Sequence, residues 1–199
     1  MQLLELDDGR RIVEYARGHI ESLYGGEKPL VPDDLKDFWT RKRGVFVTLK
    51  KHPSGALRGC IGYPEPALPF GLALEEAAES AAKKDPRFPP VIGEELTEIV
   101  LEVSVLTPPK LIDVGGSDQL LEEIKVGRDG LIAGKGYLRG LLLPQVPVEQ
   151  GWSAKEFLEH TCMKAGLNRK DWLDSEVSFE SFQAQIFSEK SPGGKVEKH

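Results

Sequence analysis

The spacing between two apolar, β-branched segments constrains the fold more than any other feature of this sequence. Residues 44–51 (Gly-Val-Phe-Val-Thr-Leu-Lys-Lys) and 56–63 (Ala-Leu-Arg-Gly-Cys-Ile-Gly-Tyr) have strand composition, and only His52-Pro53-Ser54-Gly55 separates them. A short turn is enough for a hairpin, whereas a parallel connection needs a crossover of about a dozen residues or more. The two segments therefore predict a β-hairpin and favour an antiparallel sheet.

Helices alternate with further short strands along the rest of the chain. Apolar periodicity and capping residues predict helices over 9–24, 70–83 and 117–124, and from Ser153 to Gly166. Strand patterns occur over 99–107 and 177–187, and in short pieces between 125 and 143. Because most strand connections are tight turns, we predict an α+β fold with a mostly antiparallel sheet flanked by helices.

Length and composition fit one globular domain. The 199 residues are 40% hydrophobic and 29% charged, which provides for a core and excludes wholesale disorder. We predict a single domain over 1–190 and a polar, flexible tail over 191–199. No apolar run approaches the ~20 residues of a membrane span, and the N-terminus lacks the features of a secretory signal. We expect a cytoplasmic protein.

Charge and cysteine content exclude further classes. A net charge of -6 argues against a general nucleic-acid binder, so the basic cluster 41–43 is interpreted as a solvated turn. Two cysteines, Cys60 and Cys162, are too few for a disulfide scaffold and would stay reduced in the cytoplasm. The four histidines lack ligand spacing, so we predict neither a metal site nor a cofactor.

The densest concentration of candidate chemistry is the segment Leu57-Arg-Gly-Cys-Ile-Gly62. Residues two apart on a strand share a face, so Arg58 and Cys60 are expected to point the same way. A cation beside a thiol favours the nucleophilic thiolate. Gly59 and Gly62 indicate a bulge or a close backbone approach. Spacing alone nevertheless favours a structural interpretation, in which Cys60 is a small core residue and Arg58 pairs elsewhere.

Two other segments contain charged residues that could belong to a functional site. Asp85-Pro-Arg-Phe88 holds Asp85 and Arg87 in a rigid loop, which would suit an anion clamp or merely an internal contact that shapes the loop. Glu102 lies within an apolar strand. It would need Arg58 or Arg87 as a partner if buried, but the alternation favours a solvated face.

Several segments in a fixed order resemble the AMMECR domain family, named for the AMME-syndrome chromosomal region candidate protein. The resemblance covers roughly residues 8–190 and rests on Phe46-Val-Thr-Leu49, the hallmark Leu57-Arg-Gly-Cys-Ile-Gly62, Asp85-Pro-Arg-Phe88, Leu101-Glu-Val-Ser-Val-Leu106, Gly130, Leu142-Leu-Pro-Gln-Val146, Phe157-Leu158 and Lys164-Ala-Gly-Leu167. The chain lacks the long low-complexity extension of animal members. It is therefore similar to stand-alone archaeal or bacterial members, and its single asparagine is consistent with a thermophile.

The resemblance implies an architecture but no established reaction. It implies a larger and a smaller lobe, with the hallmark segment near the cleft between them. By this resemblance the candidate catalytic residues are Cys60 and Arg58, which are hallmark positions, with Glu102 in a supporting role. The substrate-binding candidates are Asp85, Arg87, Gly59 and Gly62. It also implies an association with Memo-like or radical-SAM-like proteins, or a role in RNA metabolism.

Two hypotheses follow. In the first, the chain is an enzyme or an enzyme accessory whose Cys60 thiol is activated by Arg58, while Arg87 and Asp85 orient an anionic substrate. In the second, it is a non-catalytic adaptor whose hallmark segment shapes a surface for a partner protein. The partner, a small molecule or a protein, and the oligomeric state stay open at this point.

Overall fold

A computed structural model describes residues 3–199 and confirms the predicted α+β class. The helices are α1 (Leu6–Ser22), α2 (Lys36–Thr40), α3 (Phe70–Lys83), α4 (Ser117–Glu123), α5 (Gln145–Gln150) and α6 (Ala154–Lys164). The strands are β1 (Val45–Lys51), β2 (Leu57–Tyr63), β3 (Ile99–Leu106), β4 (Lys110–Leu111), β5 (Gly130–Lys135), β6 (Leu138–Leu142), β7 (Ser178–Phe182), β8 (Ala184–Glu189) and β9 (Val196–Lys198). None of the helices in residues 3–199 has the length and apolar character that a membrane span needs.

The chain divides into two compact units, each with its own sheet. Unit 1 comprises Met1–Leu106 and Gln185–His199, and unit 2 comprises Thr107–Ala184. The strand order is β2-β1-β3-β8-β9 in the sheet of unit 1 and β4-β7-β5-β6 in the sheet of unit 2.

The predicted hairpin forms the edge of the sheet in unit 1. β1 pairs antiparallel with β2 on one side and with β3 on the other. Alternate residues of β1 face α3 and the core, and Val45, Val47 and Leu49 are fully buried. The intervening residues, including Thr48, point to the opposite face of the sheet, which is the face that carries the candidate chemistry.

In unit 2, α6 packs on β5 and β6. Its predicted capping box is present, since the Ser153 hydroxyl accepts from the Glu156 N–H and the Glu156 carboxylate accepts from the Ser153 N–H. The buried stripe of α6 includes Phe157, Leu158 and Cys162. Cys162 is fully buried, and burial raises the pKa of its thiol to about 11, as expected for a structural cysteine.

The C-terminal region differs from the prediction in two places. The single strand predicted over 177–187 is two strands in different sheets, because the backbone leaves the ladder at Gln183, where it exchanges hydrogen bonds with Thr107. The tail predicted to be flexible over 191–199 instead contains β9, which pairs antiparallel with β8. A reversal with positive φ at Gly193 brings Val196 into the core of unit 1. A sequence rich in polar residues gives little signal of so short a strand.

Candidate functional site

The loop after α3 covers the open edge of β2 at Cys60. The Cys60 N–H donates to Asp85 Oδ2 at 2.8 Å, and Arg87 Nη2 donates to the Cys60 carbonyl oxygen at 3.0 Å. An edge strand otherwise leaves such groups unpaired. One carboxylate and one guanidinium thus take the place of a neighbouring strand, and they fix the backbone of this one cysteine.

The two residues of this clamp are also bound to each other. Arg87 Nε donates to Asp85 Oδ1 at 2.9 Å, and Nη2 donates to Oδ2 at 2.6 Å. The Asp85 side chain is 2% exposed, whereas that of Arg87 is 53% exposed. Hydrogen bonds donated by Arg87, and to a smaller extent by the Cys60 N–H, hold the pKa of Asp85 well below its usual range. The internal contact considered from the sequence is present, and it leaves one side of a rigidly held guanidinium facing solvent.

The Cys60 thiol lies in a row of polar side chains that crosses three strands. Thr48 is opposite Cys60 in the β1–β2 register and opposite Glu102 in the β1–β3 register. The Thr48 hydroxyl donates to Cys60 Sγ at 3.3 Å. Thr48 was not among the residues predicted for the site, although its hydroxyl stands out inside the apolar run 45–49. The sulfur of the free Cys60 thus has a polar neighbour, and the residue as a whole is only partly buried.

Arg58 pairs with Glu95, as in the structural interpretation that spacing favoured, rather than with the thiol that the resemblance led us to expect it to activate. Its Nε and Nη2 donate to the two carboxylate oxygens of Glu95 at 2.8 and 2.9 Å, and its Nη1 donates to the Pro89 carbonyl at 2.9 Å. The side chain is 7% exposed. The β1–β2 register shifts at Arg58, since Leu49 is opposite Gly59 while Lys50 is opposite Leu57, so regular strand alternation does not hold at this residue. The partner Glu95 also lies far away in sequence. The guanidinium that contacts Cys60 is that of Arg87.

Glu102 pairs with a lysine, and both hallmark glycines lie at the close approaches that the sequence predicted for them. Lys50 Nζ lies 2.8 Å from Glu102 Oε2, so neither Arg58 nor Arg87 neutralises this carboxylate. A Cβ on Gly59 would come within 2.2 Å of the Ala81 carbonyl oxygen, and one on Gly62 within 2.3 Å of the Phe46 ring. Both glycines permit close packing against the protein itself.

Comparison with known proteins assigns the chain to a family. A family model described as AMMECR1 matches residues 13–187. The chain belongs to the AMMECR1 family. Protein MJ0810 of Methanocaldococcus jannaschii is 54% identical over 196 residues, which cover 98% of this chain and 97% of that protein. A Methanothermobacter thermautotrophicus protein is 56% identical over 187 residues, with coverages of 94% and 96%.

A solved structure agrees with the fold. The crystal structure titled as that of an uncharacterized protein, PH0010, from Pyrococcus horikoshii matches with a TM-score of 0.83 and 48% sequence identity over 98% of both chains. These relatives come from archaea, and none of their names states an activity. The AMMECR1 assignment confirms the resemblance, while the chemistry must be argued from the site.

The AMMECR1 hallmark therefore forms two adjacent polar arrangements on β2. One is Cys60 with Thr48 and the Asp85–Arg87 clamp, and the other is the Arg58–Glu95 pair. No group of three or more His, Cys, Asp or Glu in the described part of the chain could hold a metal ion. The first arrangement presents the Cys60 sulfur beside a hydroxyl donor and a fixed cation. These neighbours would allow the sulfur to act as a nucleophile toward an anionic reagent.

Proposed function

We propose that this AMMECR1-family protein is an enzyme, or an accessory to one, that uses the Cys60 thiol as a nucleophile toward a small anionic substrate. The observation that carries the proposal is the clamp, in which Asp85 and Arg87 hold both polar backbone atoms of Cys60. Arg87, rather than Arg58, is the cation that we assign to the substrate. Its Nη1 has no acceptor among the contacts of the described residues, and half of its side chain is exposed.

The remaining candidates have supporting roles in this proposal. Thr48 donates to the sulfur and would stabilise its negative charge. Glu102 lies one strand beyond Thr48 and holds Lys50, so we assign it to positioning rather than to contact with substrate. Arg58 is likewise a positioning residue. The reaction step is attack by the Cys60 thiolate on an electrophilic carbon, with a new S–C bond, departure of the leaving group with its electron pair, and loss of the thiol proton to solvent.

The test compares alkylation of Cys60 by iodoacetate and by iodoacetamide. Both reagents form an S–C bond and release iodide, but only iodoacetate is an anion. If Arg87 orients anions, Cys60 should show a higher ratio of the iodoacetate rate to the iodoacetamide rate than free cysteine does. The Arg87→Gln variant should lower that ratio about tenfold, the effect of roughly 1.4 kcal/mol. Peptide mass spectrometry would follow both cysteines, with buried Cys162 as the unreactive internal reference.

Arg128→Gln is the matched control. Arg128 is 55% exposed and pairs through two hydrogen bonds with the buried Asp129, much as Arg87 pairs with Asp85. This variant should leave the Cys60 ratio unchanged. A Cys60 that fails to react with either reagent would rule out the nucleophile. A ratio that Arg87→Gln does not move would rule out Arg87 as the group that orients the anionic substrate.

The second candidate function is a non-catalytic adaptor. It is favoured by the observation that the hydrogen bonds of the hallmark are largely made within the protein, as in the Arg58–Glu95 pair. Under this alternative the Cys60→Ser variant retains the full function in vivo, whereas a catalytic thiol does not tolerate the exchange.

Two further proposals concern the cellular location of the protein and the proteins with which it associates. We propose a cytoplasmic location because both cysteines are free, which fits a reducing compartment. An association with Memo-like or radical-SAM-like proteins is supported by the family resemblance, and co-purification of the intact chain with such a partner would test it.

A further inference from the structure

A concave site lies at the start of β2, beside the Arg58–Glu95 pair. It is a pocket of about 540 Å³ entirely within unit 1. That volume falls within the range of roughly 300–1,000 Å³ occupied by small-molecule sites. Its walls include the apolar side chains of Leu57, Phe88, Pro90 and Ile92, and nothing in the proposed thiol chemistry uses them.

The walls are held in place before any ligand binds. Pro86, Pro89 and Pro90 restrict the backbone of one wall, and Val91 N–H anchors that wall to the Ala82 carbonyl at 2.8 Å. Glu95 Oε1 accepts from the Ile92 N–H at 3.1 Å as well as from Arg58. A preformed pocket loses little entropy when it is filled.

Two apolar side chains at this pocket are exposed to solvent. Leu57 is 40% exposed and Ile92 is 56% exposed, and both line the same concavity. Covering such surface yields about 25 cal/mol per Å² of apolar area removed from water. The pocket therefore favours a ligand with an apolar body.

The polar groups of the pocket indicate the charge of that ligand. Arg58 carries five N–H donors, and its contacts with Glu95 and Pro89 use three of them. The described residues offer no acceptor for the other two, one on each Nη, although the guanidinium is almost completely buried. Lys51 stands at the rim, and no carboxylate of the described residues lies within ion-pair distance of it. Glu95 offsets only one of the two positive charges.

We propose that this pocket binds an apolar carboxylate, with the hydrocarbon part against Leu57 and Ile92 and the carboxylate directed to Lys51 and the open donors of Arg58. The carboxylate supplies the acceptors that the buried guanidinium lacks and balances the surplus charge. This inference is independent of whether Cys60 reacts.

Octanoate is the probe, and octanol is its neutral counterpart. Isothermal titration calorimetry with the full chain should show octanoate binding at least tenfold more tightly than octanol. Cys60→Ser should bind octanoate as the wild type does, which separates this site from the thiol proposal. Absence of octanoate binding at millimolar concentration, or equal affinity for octanol, would overturn the assignment.

Two pairs of variants locate the binding. Leu57→Asp should weaken octanoate binding at least tenfold, whereas Leu72→Asp, at a leucine 46% exposed on α3 outside the pocket, should not. Lys51→Gln should weaken octanoate but not octanol, and Lys155→Gln on α6 should affect neither. Equal losses in the two members of either pair would contradict the proposal.

Discussion

Gly59 lies where β2 passes close to the backbone of α3. A Cβ at this position would lie 2.2 Å from the Ala81 carbonyl oxygen, far inside van der Waals contact. That oxygen belongs to the helix backbone and cannot rotate away, so an added methyl group must push the strand from the helix. We expect Gly59→Ala to lower the free energy of unfolding by about 1–3 kcal/mol, measured by urea denaturation.

Gly134 in β5 provides the control for this substitution. A Cβ there would meet no atom closer than 3.4 Å. We expect Gly134→Ala to change the free energy of unfolding by less than about 1 kcal/mol. Comparable losses in both variants would mean that the close approach of β2 to α3 does not explain Gly59.

Sequence reasoning at the scale of single residues succeeded where the chemistry was local. Asp85 and Arg87 are two residues apart on a loop restricted by prolines, so their contact was one of the two interpretations considered for this loop. Arg58 shows the limit of that reasoning. Strand periodicity placed it on the face of Cys60, but its guanidinium reaches Glu95, 37 positions along the chain, which no local pattern indicates.

At the scale of elements, α1 contains a buried histidine without hydrogen-bond partners. His19 is 8% exposed, and neither ring nitrogen has a partner among the described residues. Burial is the main cause that lowers the pKa of His19, with Glu75, Glu79 and Lys28 as the charged groups around it. Below about pH 6.5 the unfolded chain binds a proton that the folded chain resists.

Stability should therefore fall as the pH drops from 6.5 toward the lowered pKa of folded His19. Each pH unit in that window costs at most about 1.4 kcal/mol. In urea denaturation at pH 7.5 and 5.5, His19→Leu should lose less stability between the two values than the wild type does. His52→Leu, at an exposed turn, should behave as the wild type does. If His19→Leu and the wild type lose the same amount, His19 is not the source.

The elements themselves were predictable where side-chain periodicity and turn residues agreed. The β1–β2 hairpin and the capped start of α6 combine a local pattern with a local turn or cap. The break between β7 and β8 lacked such a signal, because the apolar pattern continues through Gln183 while the strand partners change. A change of sheet depends on distant residues such as Thr107, and periodicity carries no information about them.

At the scale of the whole molecule, the two ends of the chain build one core. Unit 1 combines residues before Thr107 with residues after Ala184. Glu189 near the end of β8 joins these parts, because its carboxylate accepts from Arg17 Nη2 of α1 at 2.6 Å and from the Leu101 N–H of β3 at 2.9 Å. Arg17 Nη2 also donates to the Ile99 carbonyl oxygen at 2.7 Å. One buried ion pair thus connects the first helix, the central sheet and the last part of the chain.

Glu189→Gln tests this connection with little change in volume. The variant removes the buried carboxylate of the pair and leaves Arg17 with the more exposed Glu21 carboxylate, 3.5 Å from Nη1. Breaking a buried pair in this way costs up to about 3–5 kcal/mol. The exposed Lys190–Glu197 pair, one residue further along, is the control, and Glu197→Gln should cost less than about 1 kcal/mol. Urea denaturation followed by tryptophan fluorescence would measure both, since Trp39 belongs to the core of unit 1. If Glu189→Gln costs no more than Glu197→Gln, the ion pair does not hold the two ends of the chain together, and the apolar contacts of Phe187 and Val196 must do so.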